Sequence, residues 1–117
     1  MSDLHEEVSI RLINDKVRFT GVSTANPDHP VSIDYVPPLG DGMGFKGLEL
    51  FLLSFGGCSA TAVVALLRKM GKTVSGFEVR AKGARSEKPP IKLEKISVEF
   101  VLESKDAEEK DLRRAVQ

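Results

Sequence analysis

Between Leu48 and Leu67 the chain runs for 20 residues with only Glu49, Ser54, Ser59 and Thr61 as clearly polar side chains. Read as part of a helix over 46–70, this stretch is apolar on every side. Such a helix must be enclosed all round or lie in a bilayer. Twenty residues is also long enough to span a membrane. Glu49, the paired glycines and the hydroxyls weaken the membrane reading, and the strands elsewhere in the chain need an apolar cover. One small sheet cannot enclose both faces of this helix, so the expected second cover is another copy of the chain. Gly56 and Gly57 would let two backbones approach closely. The prediction is a homodimer with its central helices packed together.

The rest of the chain is organised around that helix. Segments near 6–13 and 17–23 alternate as strands, with Val8, Ile10 and Leu12 against Ser9 and Arg11, and Val17 and Phe19 either side of Arg18. Asn14-Asp15-Lys16 reads as the turn between them. Ala25–Pro30 reads as a second turn and 31–36 as a third short strand, closing an N-terminal strand region over 1–36. Pro37–Gly44 is a connector rich in residues that break both helix and strand. Arg68, Lys69 and then Gly71 end the helix with suitable chemistry. A strand pair is expected over 74–103, where Phe77, Val79 and Ala81, then Ile96, Val98, Phe100 and Leu102, alternate with charged residues. That pattern suits an antiparallel sheet covered on one face. Ser86–Pro90 turns the chain between them. Ser104 is expected to cap a last helix over 104–117 with Leu112, Ala115 and Val116 as its buried stripe. The chain stops at Gln117 in mid-helix, which predicts further residues in the native product. The order β-β-β-α-β-β-α makes this an α+β protein, and 117 residues suit a single domain over 1–117.

Charge narrows the partners. Seventeen basic and seventeen acidic residues cancel, which argues against a nucleic-acid or anionic-membrane partner. One cysteine excludes an intrachain disulfide and fits a reducing cytoplasm. The acidic, polar first residues, Met-Ser-Asp-Leu-His-Glu-Glu, do not resemble a signal peptide. His5 and His29 make no metal-ligand spacing with one cysteine. Gly40–Gly44 lacks the Lys-Ser/Thr of a phosphate loop. No cofactor or metal is expected.

Cys58, just after Gly56-Gly57, is therefore the residue on which function turns. It is either an inert core filler or a nucleophile in a dry pocket. A free thiol, with an ordinary pKa of about 8.5, is only a few per cent thiolate at neutral pH, and apolar surroundings reduce that fraction. Activation needs a cation nearby, or a helix break at Gly56-Gly57 that places Cys58 at the start of a second half-helix. On an unbroken helix Ser54, Phe55, Thr61 and Ala62 share its face. Arg18 and Lys46 are candidate cations, set against ordinary outward, solvated roles. Glu49 lies nine residues back, poorly placed for its own Cys58 unless the helix bends, and either meets a partner subunit's groups or is a first-turn residue favoured by the helix dipole. Met43 and Phe45, with Phe51 and Phe55, are candidates for the lining of an apolar substrate pocket, set against ordinary core.

The block Gly47–Met70, with its Glu-Leu-Phe-Leu-Leu and Gly-Gly-Cys-Ser-Ala, resembles the central-helix signature of the OsmC/Ohr family, the osmotically inducible and organic hydroperoxide resistance proteins. The likeness covers about 46–117 well, and the first forty residues in strand order only. It implies antiparallel sheets packed around central helices in an intertwined α+β homodimer. It also implies that Cys58 is a peroxidatic cysteine, attacking organic hydroperoxides as a thiolate and passing through a sulfenic acid. In the family a second cysteine resolves that acid as a disulfide, which a thiol or lipoyl-type reductant reopens. That second cysteine normally lies in the last helix, shortly beyond where this chain stops, and is absent here. The resemblance then implies a truncated form, resolution of Cys58 by an external thiol, or lost turnover. This chain carries Leu48 where the hydroperoxide branch has a catalytic glutamate, one position before Glu49. Arg18 is the nearest counterpart of the activating arginine.

Three readings follow. The first is a cytoplasmic thiol-dependent peroxidase using Cys58, Glu49 and Arg18. The second is a catalytically weak or inactive domain of the same fold that binds an apolar small molecule or serves as a dimeric scaffold. The third is a small membrane protein anchored through 48–67.

Overall fold

A computed structural model describes residues 5–88 and 92–117. The chain divides into two compact units, 1–50 and 51–117. The α+β class holds: both sheets are antiparallel, one of three strands and one of two.

In the first unit β1 (Val8–Leu12), β2 (Phe19–Ser23) and β3 (Asn26–Ile33) form a sheet in that order. Ile10 pairs with Gly21, and Gly21 with Val31. The first turn is longer than expected. The Asn14 side-chain oxygen accepts from the backbone N–H groups of Lys16 and Arg18, both at 3.0 Å. This local bonding competes with strand pairing, so Val17 and Arg18 lie ahead of β2 and not within it. The expected turn at Ala25–Pro30 is also corrected. Two residues, Thr24 and Ala25, reverse the chain, and Pro27 and Pro30 belong to β3. An edge strand tolerates proline because one side of its backbone has no ladder to donate to.

After β3 the chain doubles back on itself. The Asp34 N–H donates to Phe45 O and the Phe45 N–H to Ser32 O, both at 2.9 Å, so Ile33 and Phe45 form a short parallel bridge. Gly40 is required here. A Cβ on it would collide with the Asp34 carboxylate and the Tyr35 backbone. Gly42 has φ +69°, the left-handed region that glycine enters without penalty.

Helix α1 (Gly47–Lys69) ends as its sequence requires. Gly71 has φ +81°, its N–H donates to Arg68 O, and the Lys72 N–H reaches Leu67 O, both at 3.0 Å. These paired bonds satisfy the last carbonyls of the helix in a Schellman arrangement. In the second unit β4 (Gly76–Arg85) pairs with β5 (Leu93–Glu103). Phe77 stands opposite Leu102, Val79 opposite Phe100 and Ala81 opposite Val98. These six are half-buried on one face, while the charged neighbours between them are exposed. Of the turn expected at Ser86–Pro90, Pro89 and Pro90 lie outside the described residues. Ser86 N donates to Lys92 O at 2.8 Å across it.

Helix α2 spans Glu109–Val116, starting five residues after Ser104. Ser104 is not its cap. The Ser104 hydroxyl instead accepts from the backbone of Asp106 and Ala107. The Asp106 carboxylate takes the Thr73 N–H at 2.8 Å and the Thr73 hydroxyl at 3.0 Å. This ties residues 104–107 to the segment after α1 and delays the helix. Glu108 occupies the cap position, and its N–H donates to Asp111 Oδ2 at 2.9 Å. Gln117 is the C-cap residue. Val63, Leu67 and Ala115 form the buried core, packed by Val74, Phe77, Phe100, Leu102 and Leu112. The Phe77 and Phe100 rings lie 6.2 Å apart. Of the expected α2 stripe, Val116 is exposed.

Candidate functional site

Helix α1 runs without interruption through Gly56 and Gly57. Of the two routes to activation, the helix break is absent, so Cys58 sits at mid-helix and gains nothing from a helix N-terminus. The glycines differ. Gly56 is buried, and a Cβ there would lie 3.6 Å from Val79 Cγ1 of β4. A Cβ on Gly57 would meet nothing within 4 Å. The helix thus turns Gly56, Val63 and Leu67 inward, and the thiol falls on the other side. Cys58 is free and exposed. Phe51 and Phe55, seven and three residues before it, share this face, as do Ser54, Thr61 and Ala62. The two rings are 51% and 43% exposed. The surface around the thiol is therefore apolar and open. The Thr61 hydroxyl donates back to Gly57 O at 2.9 Å.

Glu49 has a structural task. Its Oε1 accepts the Lys46 N–H at 2.8 Å, satisfying a donor at the start of α1. That is the first-turn role its position suggested.

Arg18 differs from both descriptions the alternating pattern offered. It is neither mid-strand nor an outward, solvated side chain. Its Nε lies 3.5 Å from Asp34 Oδ2 and its Nη2 donates to Asp41 Oδ2 at 3.2 Å. The Nε is buried and makes no hydrogen bond of good geometry. Asp41 also takes Lys16 Nζ at 2.8 Å, which raises the Lys16 pKa. Asp34 is the centre of this arrangement and the only buried charged side chain among the described residues, at 3% exposure. Its Oδ1 accepts from Tyr35 N at 2.8 Å, and its Oδ2 accepts from Asp41 N at 3.2 Å and Met43 N at 3.1 Å. Burial pushes its pKa upward. The three backbone donors and Arg18 together outweigh burial and hold it below the ordinary carboxylate value.

Met43 and Phe45 are exposed on this same loop. The Met43 carbonyl accepts the Ser32 hydroxyl at 2.9 Å. The first unit therefore gathers Arg18, Met43 and Phe45 around Asp34, and the second carries Phe51, Phe55 and Cys58 on one helix face. Sequence reading passed over Asp34 and Asp41. The available signal was an aspartate at the end of an apolar strand, followed by a connector with glycines at 40, 42 and 44.

Among the described residues no group of three His, Cys, Asp or Glu could hold a metal ion. A groove of about 630 Å³ between β5 and α2, lined by Val98, Phe100, Leu112 and Val116, contains none of the expected site residues. Helix α1 has the length and apolar character of a membrane-crossing helix.

The arrangement defines an α+β protein with a cysteine at the middle of an apolar helix that follows a three-stranded sheet. Residues 40–117 match the family of OsmC-like proteins, and the chain belongs to that family. It is 33% identical over 69 residues to Protein YhfA of Escherichia coli, a stretch that is 59% of this chain and 52% of YhfA. The chain thus spans about half the length of this curated relative. The OsmC-like protein of Mycoplasma pneumoniae has a similar structure, with a TM-score of 0.80 and 17% identity over 98% of this chain and 79% of that one. An organic hydroperoxide resistance protein OsmC from Legionella pneumophila aligns with a TM-score of 0.66 and 12% identity, covering 98% and 82%.

Proposed function

We propose that this protein is a cytoplasmic thiol-dependent peroxidase that reduces organic hydroperoxides through Cys58. The observation that carries the reading is the exposed thiol at the middle of an apolar helix face, flanked by Phe51 and Phe55. Membership of the OsmC-like family supports a redox or stress-related role. The likeness to an organic hydroperoxide resistance protein of Legionella pneumophila supports hydroperoxides as the substrate class.

In the step proposed, the Cys58 thiolate attacks the distal peroxide oxygen. An S–O bond forms as the O–O bond breaks. The sulfur loses two electrons to the peroxide, which leaves as an alcohol after its alkoxide takes a proton. Cys58 becomes a sulfenic acid. An external thiol or lipoyl-type dithiol condenses with it, releasing water. A second thiol equivalent then frees Cys58 and leaves as the oxidised disulfide. Arg18 is the candidate cation for the thiolate, and Glu49 the candidate carboxylate. The exposed side of α1 is covered by a second copy in a homodimer, which encloses the thiol in an apolar site.

The test is the second-order rate of Cys58 with cumene hydroperoxide and with hydrogen peroxide, followed by trapping of the sulfenic acid. A fast reaction that favours the organic peroxide and disappears in Cys58→Ser is expected. A rate equal to that of free cysteine with both would end the peroxidase reading. It would leave the alternative, an inactive domain that binds an apolar small molecule or acts as a scaffold. The open apolar face around Cys58 favours that alternative as the next reading.

A further inference from the structure

Asp41–Gly42 is the one Asp-Gly or Asn-Gly step in the chain. In a flexible peptide such a step rearranges by itself, because glycine has no Cβ to shield its nitrogen from the preceding carboxyl. A connector of prolines and glycines is where that flexibility is expected. The structure holds the step instead. The Gly40 N–H donates to Val36 O at 3.1 Å and the Gly42 N–H to Tyr35 O at 2.9 Å. Asp34 Oδ2 accepts the N–H groups of Asp41 and Met43 at 3.2 and 3.1 Å. Both Asp41 oxygens are bound as well, Oδ1 by Lys16 Nζ at 2.8 Å and Oδ2 by Arg18 Nη2 at 3.2 Å. All of these residues belong to the first unit.

We propose that Asp41 is a self-modification site, converting to isoaspartate, and that the Lys16–Asp41 ion pair and the Gly42–Tyr35 hydrogen bond lock it in the folded chain. In the reaction the Gly42 nitrogen attacks Asp41 Cγ, and a C–N bond forms. One carboxyl oxygen leaves as water with the amide proton and a proton from solvent, giving a succinimide. Water then adds at the Asp41 main-chain carbonyl and breaks its bond to nitrogen. The product is isoaspartate, with no net change in mass and no oxidant or reductant. Both ends of the new bond are engaged in the fold. The nitrogen must first release Tyr35 O, and the carboxyl must first turn from its two cations, so conversion proceeds from the locally opened loop. Once formed, isoaspartate carries an extra main-chain carbon. The Gly42 and Met43 N–H groups are then displaced from Tyr35 and Asp34, and the loop cannot close as before.

The test follows isoaspartate at residue 41 in protein held at neutral pH and raised temperature, folded and in urea. Peptide chromatography separates the two forms, and methyl transfer by an isoaspartyl carboxyl methyltransferase counts them. The folded wild type should convert more slowly than the unfolded chain by about tenfold or more. Lys16 is largely exposed, so Lys16→Ala leaves the packing intact. It should speed folded conversion about twofold to fivefold, the scale of one surface ion pair, without changing the rate in urea. Lys16→Arg should restore the wild-type rate. Amide hydrogen exchange at Gly42 in the wild type is an independent measure of the opened fraction, and conversion should be slowed in proportion to it. Equal rates folded and in urea, or no isoaspartate in urea, overturn the proposal. So does an unchanged rate in Lys16→Ala. A slower rate in that variant would make Lys16 the acid that protonates the leaving oxygen, the opposite of a lock.

Discussion

At neutral pH the Asp34 carboxylate is ionised, buried and bonded to three backbone N–H groups, so protonating it undoes the loop it holds. Its folded pKa lies below its unfolded value, and the same is true of Asp106 and Asp111 in the second unit. For Asp106 the chief cause is the Thr73 N–H, and for Asp111 the Glu108 N–H. Below the unfolded pKa the unfolded chain binds more protons than the folded one, so stability rises with pH there. The contribution is complete above about pH 4 to 5 and is lost as pH falls through the depressed folded values. Urea midpoints measured from pH 7 to pH 2 should drop on the acid side. Asp106→Asn should lower the neutral-pH midpoint and flatten that drop, and an equally steep acid limb in this variant would contradict the account. Gly40→Ala should destabilise the first unit more than most surface changes, because its methyl group collides with Asp34 and Tyr35. A thermal melt checks this.

Helix α1 responds differently at its two central glycines. Gly56 faces Val79, whereas Gly57 faces open space within the chain. Gly57→Ala should therefore raise the stability of the separated chain by about 0.5–1 kcal/mol, the usual helix-interior cost of glycine. If a second copy lies closely against this side, the added methyl weakens association instead. Comparing urea midpoints with dimer dissociation constants separates the two effects. The elements with long, single-period patterns were legible in the sequence. The apolar run of α1 with its Lys69–Gly71 ending, and the alternation in β4 and β5, each follow from one local rule. The misread segments are those where a side chain competes with the local rule. Asn14 bonds its own backbone and holds Arg18 out of β2. Asp106 reaches Thr73, 33 residues earlier, and moves the start of α2 from Ser104 to Glu109. The same distinction runs through the site. Cys58 and its aromatic neighbours were legible from helical spacing, while Asp34 and Asp41 were not, because bonds across a folded loop decide their role.

Across the whole molecule, apolar side chains outside the core remain to be covered. Phe51, Leu53, Phe55 and Leu66 of α1 are exposed, as are Val8, Ile10 and Leu12 of β1. Light scattering should give twice the 12.8 kDa chain mass, and Leu53→Glu should shift the population toward monomer. A wild-type monomer at all concentrations would remove the proposed cover of the thiol. The uncovered side of α1 has a consequence in mass action. A helix enclosed half by its own sheet and half by a copy draws part of its stability from association, so dilution acts as a denaturant. Each tenfold dilution of such a dimer removes about 1.4 kcal/mol. The same dilution would lay the thiol open to solvent, so the reactivity of Cys58 would itself report how much of the protein is present.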